Sequence, residues 1–289
     1  MPEDLAALLT RLGIGPDEIA EAAAAGPLDL ELLVADRVAL PDRRYLTPPE
    51  VWERAEVDEQ TARRLWRAMG FPDPPDDEPV FCDADVAALR TAAALFERAG
   101  IERGVALQQA RTMGQAMARI AGAQQDVIEE RTASDDVEES LVGAAELAER
   151  ALPAVDKLIV YLYRRHLAAA TRRNVLLRSQ AAGAGIRLCV GFADLVGFTA
   201  LSQELSDEEL AAVVDEFGSA AADAVVAHGG HVVKMIGDEV MFSTDRPEEA
   251  VALALDLVAS YPGEENGLTI RAGIAAGEVL SRDGDLYGP

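Results

Sequence analysis

Residues 229–242 read GGHVVKMIGDEVMF, and this stretch decides the fold of the C-terminal part of the chain. Two apolar runs, His231–Ile236 and Glu239–Ser243, lie on either side of the dipeptide Gly237-Asp238. Apolar runs joined by a two-residue turn of this composition predict a β-hairpin. Asp238 is therefore expected in an exposed turn at the ends of two strands.

The segments around the hairpin extend it into an α/β pattern. Residues 187–193, RLCVGFA, predict a short apolar strand, and residues 207–228 predict a helix with one apolar face. A helix over 247–261 and a strand over 269–275 follow, which gives the order βαββαβ. Asp194 directly follows the first strand, so it is expected at a strand end near Asp238. Two carboxylates on neighbouring strand ends are suited to holding Mg²⁺.

The chain before about residue 183 has a helical pattern instead. Leu5, Leu8, Leu9 and Leu12 form an apolar stripe at helical spacing. Two longer helices are predicted over 104–130 and 135–177. Pro153 lies within the second of them and is expected to kink or divide it.

Residues 43–71 predict two short helices joined by a tight turn, with Asp58 as the cap of the second. This shape resembles a helix-turn-helix. Three cations would lie on its second helix: Arg63, Arg64 and Arg67. The favoured interpretation is a small helical subdomain whose inward side chains are Leu65, Trp66 and Met69. Residues 72–79, PDPPDDEP, predict a rigid, solvated linker.

Composition limits the partners of the chain. Its 289 residues carry a net charge of −25, which argues against a surface that follows nucleic acid or an anionic membrane. Cys82 and Cys189 fit neither a disulfide framework nor a paired metal motif, and free thiols suit a reducing compartment. Neither a signal peptide nor an apolar run of membrane-spanning length is present in the sequence. A soluble, cytoplasmic protein without a membrane partner is expected.

Four segments resemble one family in their order along the chain: class III adenylate and guanylate cyclases. FADLVGFT at 192–199 resembles the first metal-binding motif of that family, and GGHVVKMIGDEVMF resembles the second. RAGIAAG at 271–277 is similar to the strand that follows, and GDLYGP at 284–289 to the start of the next block. The helical part resembles, less specifically, the regulatory domains of soluble actinobacterial cyclases.

The resemblance implies a role for five positions. Asp194 and Asp238 match the catalytic aspartates, which together with Leu195 would hold two Mg²⁺ or Mn²⁺ ions per site. Lys234 and Asp285 match the residues that read adenine. Adenine presents an acceptor at N1 and a donor at its amine, which a lysine and a carboxylate complement, while guanine reverses this pattern. A mismatched buried group costs about 1–3 kcal/mol, so ATP is expected over GTP.

The resemblance also implies a fold and a reaction. The fold class is α+β: an all-α regulatory domain (1–177), a linker (178–186), and a partial ferredoxin-like α/β class III cyclase catalytic domain (187–289). ATP would be converted to 3′,5′-cyclic AMP and pyrophosphate by two-metal-ion catalysis. In the family the site forms between two catalytic domains, so a homodimer is implied. Lys234 and Asp238 would then serve opposite sites of the dimer.

The sequence departs from the family pattern at its end. An asparagine that orients the ribose and an arginine that stabilises transition-state charge would follow after Pro289, so a C-terminally shortened, inactive piece is expected. Two alternatives are a DNA-binding regulator with a degenerate cyclase-like sensor or dimerisation module, and a diguanylate cyclase. Gly237-Asp238-Glu239 resembles the signature of the latter, but Ile236 and the FADLVGFT segment do not suit it.

Overall fold

A computed structural model describes residues 3–98, 100–134, 136–180, 187–261, 268–282 and 285–288. The chain forms two compact units, Met1–Arg164 and Arg165–Pro289. Part of the predicted linker, residues 181–186, lies outside the described residues, as do Gly284 and Pro289 of the last motif. Among the described helices, not one combines the length and the apolar character that a bilayer crossing requires.

The first unit is helical, as the sequence predicts. Its helices are α1 (Glu3–Arg11), α2 (Pro16–Ala25), α3 (Pro27–Ala39), α4 (Pro48–Ala55), α5 (Glu59–Ala68), α6 (Asp83–Arg98) and α7 (Arg103–Thr132). A further helix, α8 (Val137–Gln180), begins in this unit and ends in the second. The predicted leucine stripe is confirmed as core, because Leu5, Leu8 and Leu9 are buried together.

Residues 43–71 form the small helical subdomain that the sequence favours. The side chain of Asp58 caps α5 by accepting a hydrogen bond from the Thr61 amide at 3.0 Å. Leu65 is buried in the local core, and Trp66 packs against it. The segment at 72–79 is exposed at nearly every position, as expected of a solvated linker, and it folds back onto α5. The Trp66 Nε1–H donates to the Pro72 carbonyl at 2.9 Å.

Acidic residues of the segment 72–79 pair with two arginines of α5. Arg63 pairs with Asp76, and the Arg67 Nε lies 3.6 Å from a carboxylate oxygen of Asp73. Two of the three cations expected on a recognition helix therefore face carboxylates of their own chain. This arrangement disfavours the DNA-binding alternative.

Pro153 does not divide α8, which is a single helix of 44 residues. A proline inside a helix removes one i→i−4 hydrogen bond and crowds one carbonyl. In a helix of this length, many hydrogen bonds remain on both sides of that position. The helix is therefore not divided at Pro153, and a kink at this position stays a prediction.

The second unit contains an antiparallel sheet of four strands in the order β2-β3-β1-β4. The strands are β1 (Arg187–Val196), β2 (His231–Ile236), β3 (Glu239–Thr244) and β4 (Thr269–Glu278). Its helices are α9 (Phe198–Leu201), α10 (Asp207–Ala227) and α11 (Pro247–Ser260). The predicted hairpin is confirmed, and so is the βαββαβ order apart from the short α9.

Two features differ from the prediction for the second unit. β1 continues beyond Ala193 to Val196, because β4 supplies partners as far as Thr269. Asp194 therefore lies within the strand rather than after it. A second, two-stranded sheet follows β4, formed by β5 (Leu280–Arg282) and β6 (Asp285–Tyr287), and no sequence pattern predicted it.

Candidate active site

The two faces of the four-stranded sheet have different surroundings. Ala193 and Leu195 of β1 are buried in a core with Phe217 of α10 and Leu253 of α11. Successive strand residues point to opposite faces, so Asp194 points away from these helices. The opposite face, called here the open face, is the one on which Asp194 lies.

Strand register sets the neighbours of Asp194 on the open face. Asp194 is paired with Glu239 of β3 and with Arg271 of β4, and directly paired residues share a face. Arg271 donates two hydrogen bonds to the Asp194 carboxylate, from Nη2 at 2.7 Å and from Nε at 3.2 Å. This contact raises the pKa of Arg271, first through the hydrogen bond and then through the opposite charge.

Asp238 lies beside Asp194, as the sequence predicts. The Leu195 N–H donates to the Asp238 carbonyl at 3.1 Å, which fixes the β2–β3 turn against β1. The N–H and C=O of one strand residue point to the same side, so the Leu195 carbonyl is directed towards that turn. Asp194 and Leu195 of β1 therefore lie beside the turn that contains Asp238.

A β-bulge places Lys234 on the open face. Val232 pairs with Phe242 and Lys234 with Met241, so β2 contains one extra residue between these pairs. Without this bulge, Lys234 would share the helix-covered face with the buried Phe242. With the bulge, Lys234 lies in the same cross-strand row as Met241 and Phe192, directly beside the row of Asp194.

Lys234 and Asp285 form an ion pair, with the Lys234 Nζ 2.7 Å from the Asp285 Oδ2. The lysine hydrogen bond lowers the pKa of Asp285, and a smaller contribution comes from the hydrogen bond of the Leu286 amide. The side chains are about one-third exposed, at 35% and 31%. Lys234 is one of only two lysines in the chain. The pair joins two positions 51 residues apart in sequence.

An apolar cavity of about 650 Å³ lies between the open face and the β5–β6 hairpin. Its lining includes Val190, Phe192 and Met241 from the sheet, and Leu286 and Tyr287 from the hairpin. Met241 is the register partner of Lys234, and Leu286 follows Asp285. The cavity therefore adjoins the ion pair, and it is large enough for a flat heterocycle.

The C-terminal part of α8 contacts the other end of the β2–β3 hairpin. Arg173 donates to Asp245 at 2.9 Å and to the Ser243 hydroxyl at 3.4 Å. Ser243 is the register partner of His231, at the start of β2. Burial lowers the pKa of His231, and the positive charge of Arg173 adds to this effect.

The oxygen donors at this site suit a hard divalent cation. Among the described residues, no group of three or more His, Cys, Asp or Glu side chains could hold a metal ion. Two carboxylates with a backbone carbonyl are nevertheless a donor set that Mg²⁺ accepts when substrate oxygens and water complete its coordination. The Asp194 carboxylate already attracts a cation, the guanidinium of Arg271. Asp194, Leu195 and Asp238 therefore have the donor chemistry that a divalent cation such as Mg²⁺ requires.

The structure brings together all five sequence-predicted site positions in two neighbouring sets. Asp194, Leu195 and Asp238 form one set, and Lys234 with Asp285 forms the other. Arg271 is absent from the prediction. It lies within RAGIAAG, but only the register of β4 against β1 shows that it faces Asp194.

Comparisons with known proteins match both units. Residues 2–168 match the family described as adenylate cyclase regulatory domain, and residues 184–284 match the adenylate and guanylate cyclase catalytic domain. These matches define a class III nucleotidyl cyclase with a regulatory domain ahead of its catalytic domain. The chain belongs to this family, as an adenylate cyclase of the actinobacterial type.

Two relatives support the assignment over most of the chain. An adenylate cyclase of Streptomyces coelicolor is 36% identical over 95% of this chain and 72% of its own length. One of Streptomyces griseus is 39% identical over 86% of this chain and 62% of its own. A solved bacterial light-regulated adenylyl cyclase is 25% identical over 32% of this chain and 55% of its own, with a TM-score of 0.31. The assignment rests on the sequence matches.

Proposed function

We propose that the protein converts ATP to 3′,5′-cyclic AMP and pyrophosphate, with Asp194 and Asp238 as its catalytic aspartates. Its own carboxylates, with the Leu195 carbonyl, would hold two divalent cations, Mg²⁺ or Mn²⁺. Such ions, when bound, lower the pKa of a coordinated hydroxyl and neutralise phosphate charge. The net charge of −25 then agrees with an anionic substrate that arrives with its cations.

Adenine recognition is proposed for Lys234 and Asp285. The ammonium can donate to adenine N1, and the carboxylate can accept from the exocyclic amine. Their 2.7 Å contact positions both groups before the base arrives, and the cavity beside them offers apolar faces for the ring. This contact is the observation that carries the proposal, because it puts a hydrogen-bond donor and an acceptor side by side, as the adjoining N1 and amine of adenine require.

The proposed working unit is a homodimer. The open face has exposed apolar side chains in the middle of the sheet, among them Phe192, which is 41% exposed. A second copy would cover that face and complete two composite sites. In each site the metal-binding aspartates would come from one chain and the adenine-reading pair from the other.

Residues 1–177 are proposed as a regulatory domain that acts through α8. The family match of residues 2–168 supports this role. The Arg173 contacts join the last turns of α8 to the hairpin that carries both Lys234 and Asp238. A change in the position of α8 would therefore act on the hairpin directly.

Nucleotide preference tests the proposal. The protein that carries this chain should form cyclic AMP from ATP in the presence of Mg²⁺ or Mn²⁺, and react much less with GTP. Lys234→Ala should reduce the preference for ATP over GTP by about tenfold or more, because the proposed hydrogen bond to adenine N1 is lost. Lys157→Ala, which removes the other lysine, is the matched control. An unmodified protein that prefers GTP would contradict the assignment.

A further inference from the structure

A groove between α5 and α7 is edged by four arginines that the proposed function does not use. Arg64 and Arg67 lie one turn apart on α5, and Arg103 and Arg111 lie two turns apart on α7. The groove has a volume of about 390 Å³ and is lined by Arg64, Arg67, Ala68, Leu107 and Arg111. Arg64 and Arg103 also line an adjoining cavity of about 140 Å³ with Leu65 and Leu107.

Close packing of the two helices holds these arginine rows together. Gly114 lies one turn beyond Arg111, where α7 passes the end of α5. A Cβ at Gly114 would lie 2.2 Å from the Met69 carbonyl oxygen, so no larger residue fits there without movement. The floor of the groove is equally well packed, because Leu65 is 3% exposed and Ala68 is 5% exposed. The groove is therefore a built feature of the helix pair.

The charge of the groove is only partly compensated by carboxylates, although the chain is strongly acidic. Within the described part of the chain, none of Arg64, Arg103 and Arg111 forms an ion pair. Arg67 has only the longer 3.6 Å contact with Asp73. The pKa of Asp58 is lowered mainly by hydrogen bonds with Thr61, and Arg103 adds a smaller contribution from beyond ion-pair distance. Acidic residues outnumber basic ones by 51 to 26, yet three arginines without an ion pair border this groove and its adjoining cavity.

Uncompensated like charges held close together repel one another, and a bound anion relieves that repulsion. Guanidinium groups bind phosphate oxygens with paired, charge-assisted hydrogen bonds. A single carboxylate would leave most of the positive charge unmatched, whereas a phosphate dianion or a diphosphate matches it. The apolar floor and the adjoining cavity can receive an uncharged part of the same molecule.

We propose that the groove between α5 and α7 binds a small phosphorylated molecule, with its phosphate between Arg64, Arg67 and Arg111. The site lies in the first unit, within the residues that match the regulatory domain family. It is independent of the catalytic assignment, because it uses none of the proposed catalytic residues.

Calorimetric titration of the metal-free full chain with pyrophosphate and with inorganic phosphate tests the proposal, at constant ionic strength and with EDTA present. Saturable binding with one site per chain is expected. Arg64→Gln and Arg111→Gln should each weaken it by about tenfold or more, because each removes a charge-assisted contact. Arg119→Gln is the matched control, since Arg119 is an exposed arginine on the same helix and lies outside the groove.

Three results would overturn the proposal: no saturable binding, equal weakening by Arg119→Gln, or acetate binding as tightly as phosphate. Duplex DNA that binds more tightly than pyrophosphate, with loss in the same two variants, would identify a nucleic-acid surface instead. Thermal unfolding of each variant checks the fold. If a glutamine variant does not fold, Arg111→Lys retains the charge and removes the paired hydrogen bonds, and unchanged phosphate affinity in that variant also contradicts the proposal.

Discussion

Arg271 of β4 binds the carboxylate of Asp194 of β1 through two nitrogens, at 2.7 and 3.2 Å. The two residues are direct register partners, so the contact follows from the pairing of the central strands. The guanidinium of Arg271 contacts both carboxylate oxygens of Asp194. A divalent cation at this site therefore has to compete with Arg271 for the same oxygens.

Removal of this competing arginine should tighten metal binding. Arg271→Gln is expected to increase the affinity for Mn²⁺ alone by about twofold to fivefold, because an exposed ion pair is a weak competitor for the Asp194 oxygens. Manganese binding followed by electron paramagnetic resonance measures this change, with Asp194→Ala as the variant that loses binding. Arg187→Gln, at the exposed start of β1, is the control. Weaker Mn²⁺ binding by Arg271→Gln would contradict the competition.

Mixed dimers test whether each active site is shared between chains. In the protein that carries this chain, a heterodimer of Asp194→Ala and Lys234→Ala chains should recover about half the activity of an unmodified dimer, because both changes fall in one of its two symmetric sites. Cyclase assays on co-expressed, differently tagged chains provide the measurement. A heterodimer of Asp194→Ala and Asp238→Ala is the control, since each of its sites then lacks one metal-binding aspartate. No recovery in the first heterodimer would mean that each chain forms its own site.

The pH response of Asp285 should report its contact with Lys234. The lysine lowers the pKa of Asp285, so the folded state gains stability above the ordinary aspartate pKa of 3.8 and loses it as the pH falls through the lower folded value. An NMR titration should find the Asp285 midpoint below the ordinary value and rising in Lys234→Ala. The Leu286 amide still stabilises the Asp285 carboxylate in that variant, so the pKa of Asp285 should rise only part of the way to the ordinary value. Lys157→Ala should leave the midpoint unchanged, and an equal rise there would count against the contact.

Gly191 is required by the packing of the sheet. A Cβ at this position would lie 2.2 Å from the ring of the fully buried Phe242 and 2.8 Å from a methyl group of Ile274. Gly191→Ala should therefore lower the free energy of unfolding by about 1–3 kcal/mol. Gly273→Ala is the matched control, because its Cβ would have no neighbour within 4 Å. Denaturant unfolding of both variants compares them, and equal stabilities would refute the steric argument.

Arg173 should hold the end of α8 on the sheet. Arg173→Ala removes its contacts with Asp245 and Ser243, so amide hydrogen exchange should increase at the start of β2, where His231 pairs with Ser243. Mass spectrometry of exchanged peptides over 231–236 measures the effect. Arg172→Ala, which changes an exposed neighbour on the same helix, should leave exchange unchanged. Restored protection in an Arg173→Asp, Asp245→Arg double variant would show that the ion pair is responsible.

The sequence alone determined the nature and order of most elements. The apolar runs on either side of Gly237-Asp238 favour a hairpin. The leucines of α1 share one buried face only when the segment is helical. These patterns are local, because neighbouring residues decide them through side-chain periodicity and turn conformation. The same local patterns placed Asp194 and Asp238 at strand ends, whereas their proximity depends on the pairing of β1 with β3.

Tertiary structure decided the contacts that depend on strand register and on segments far apart in sequence. The bulge in β2 decides that Lys234 shares a face with Asp194, and one residue more or less would reverse that face. The pairing of β4 with β1 brings Arg271 to Asp194 over 77 residues of sequence. The packing of α7 on α5 assembles four arginines that lie on separate helices. Such contacts depend on how whole elements pair and pack, and no local pattern of residues encodes that arrangement.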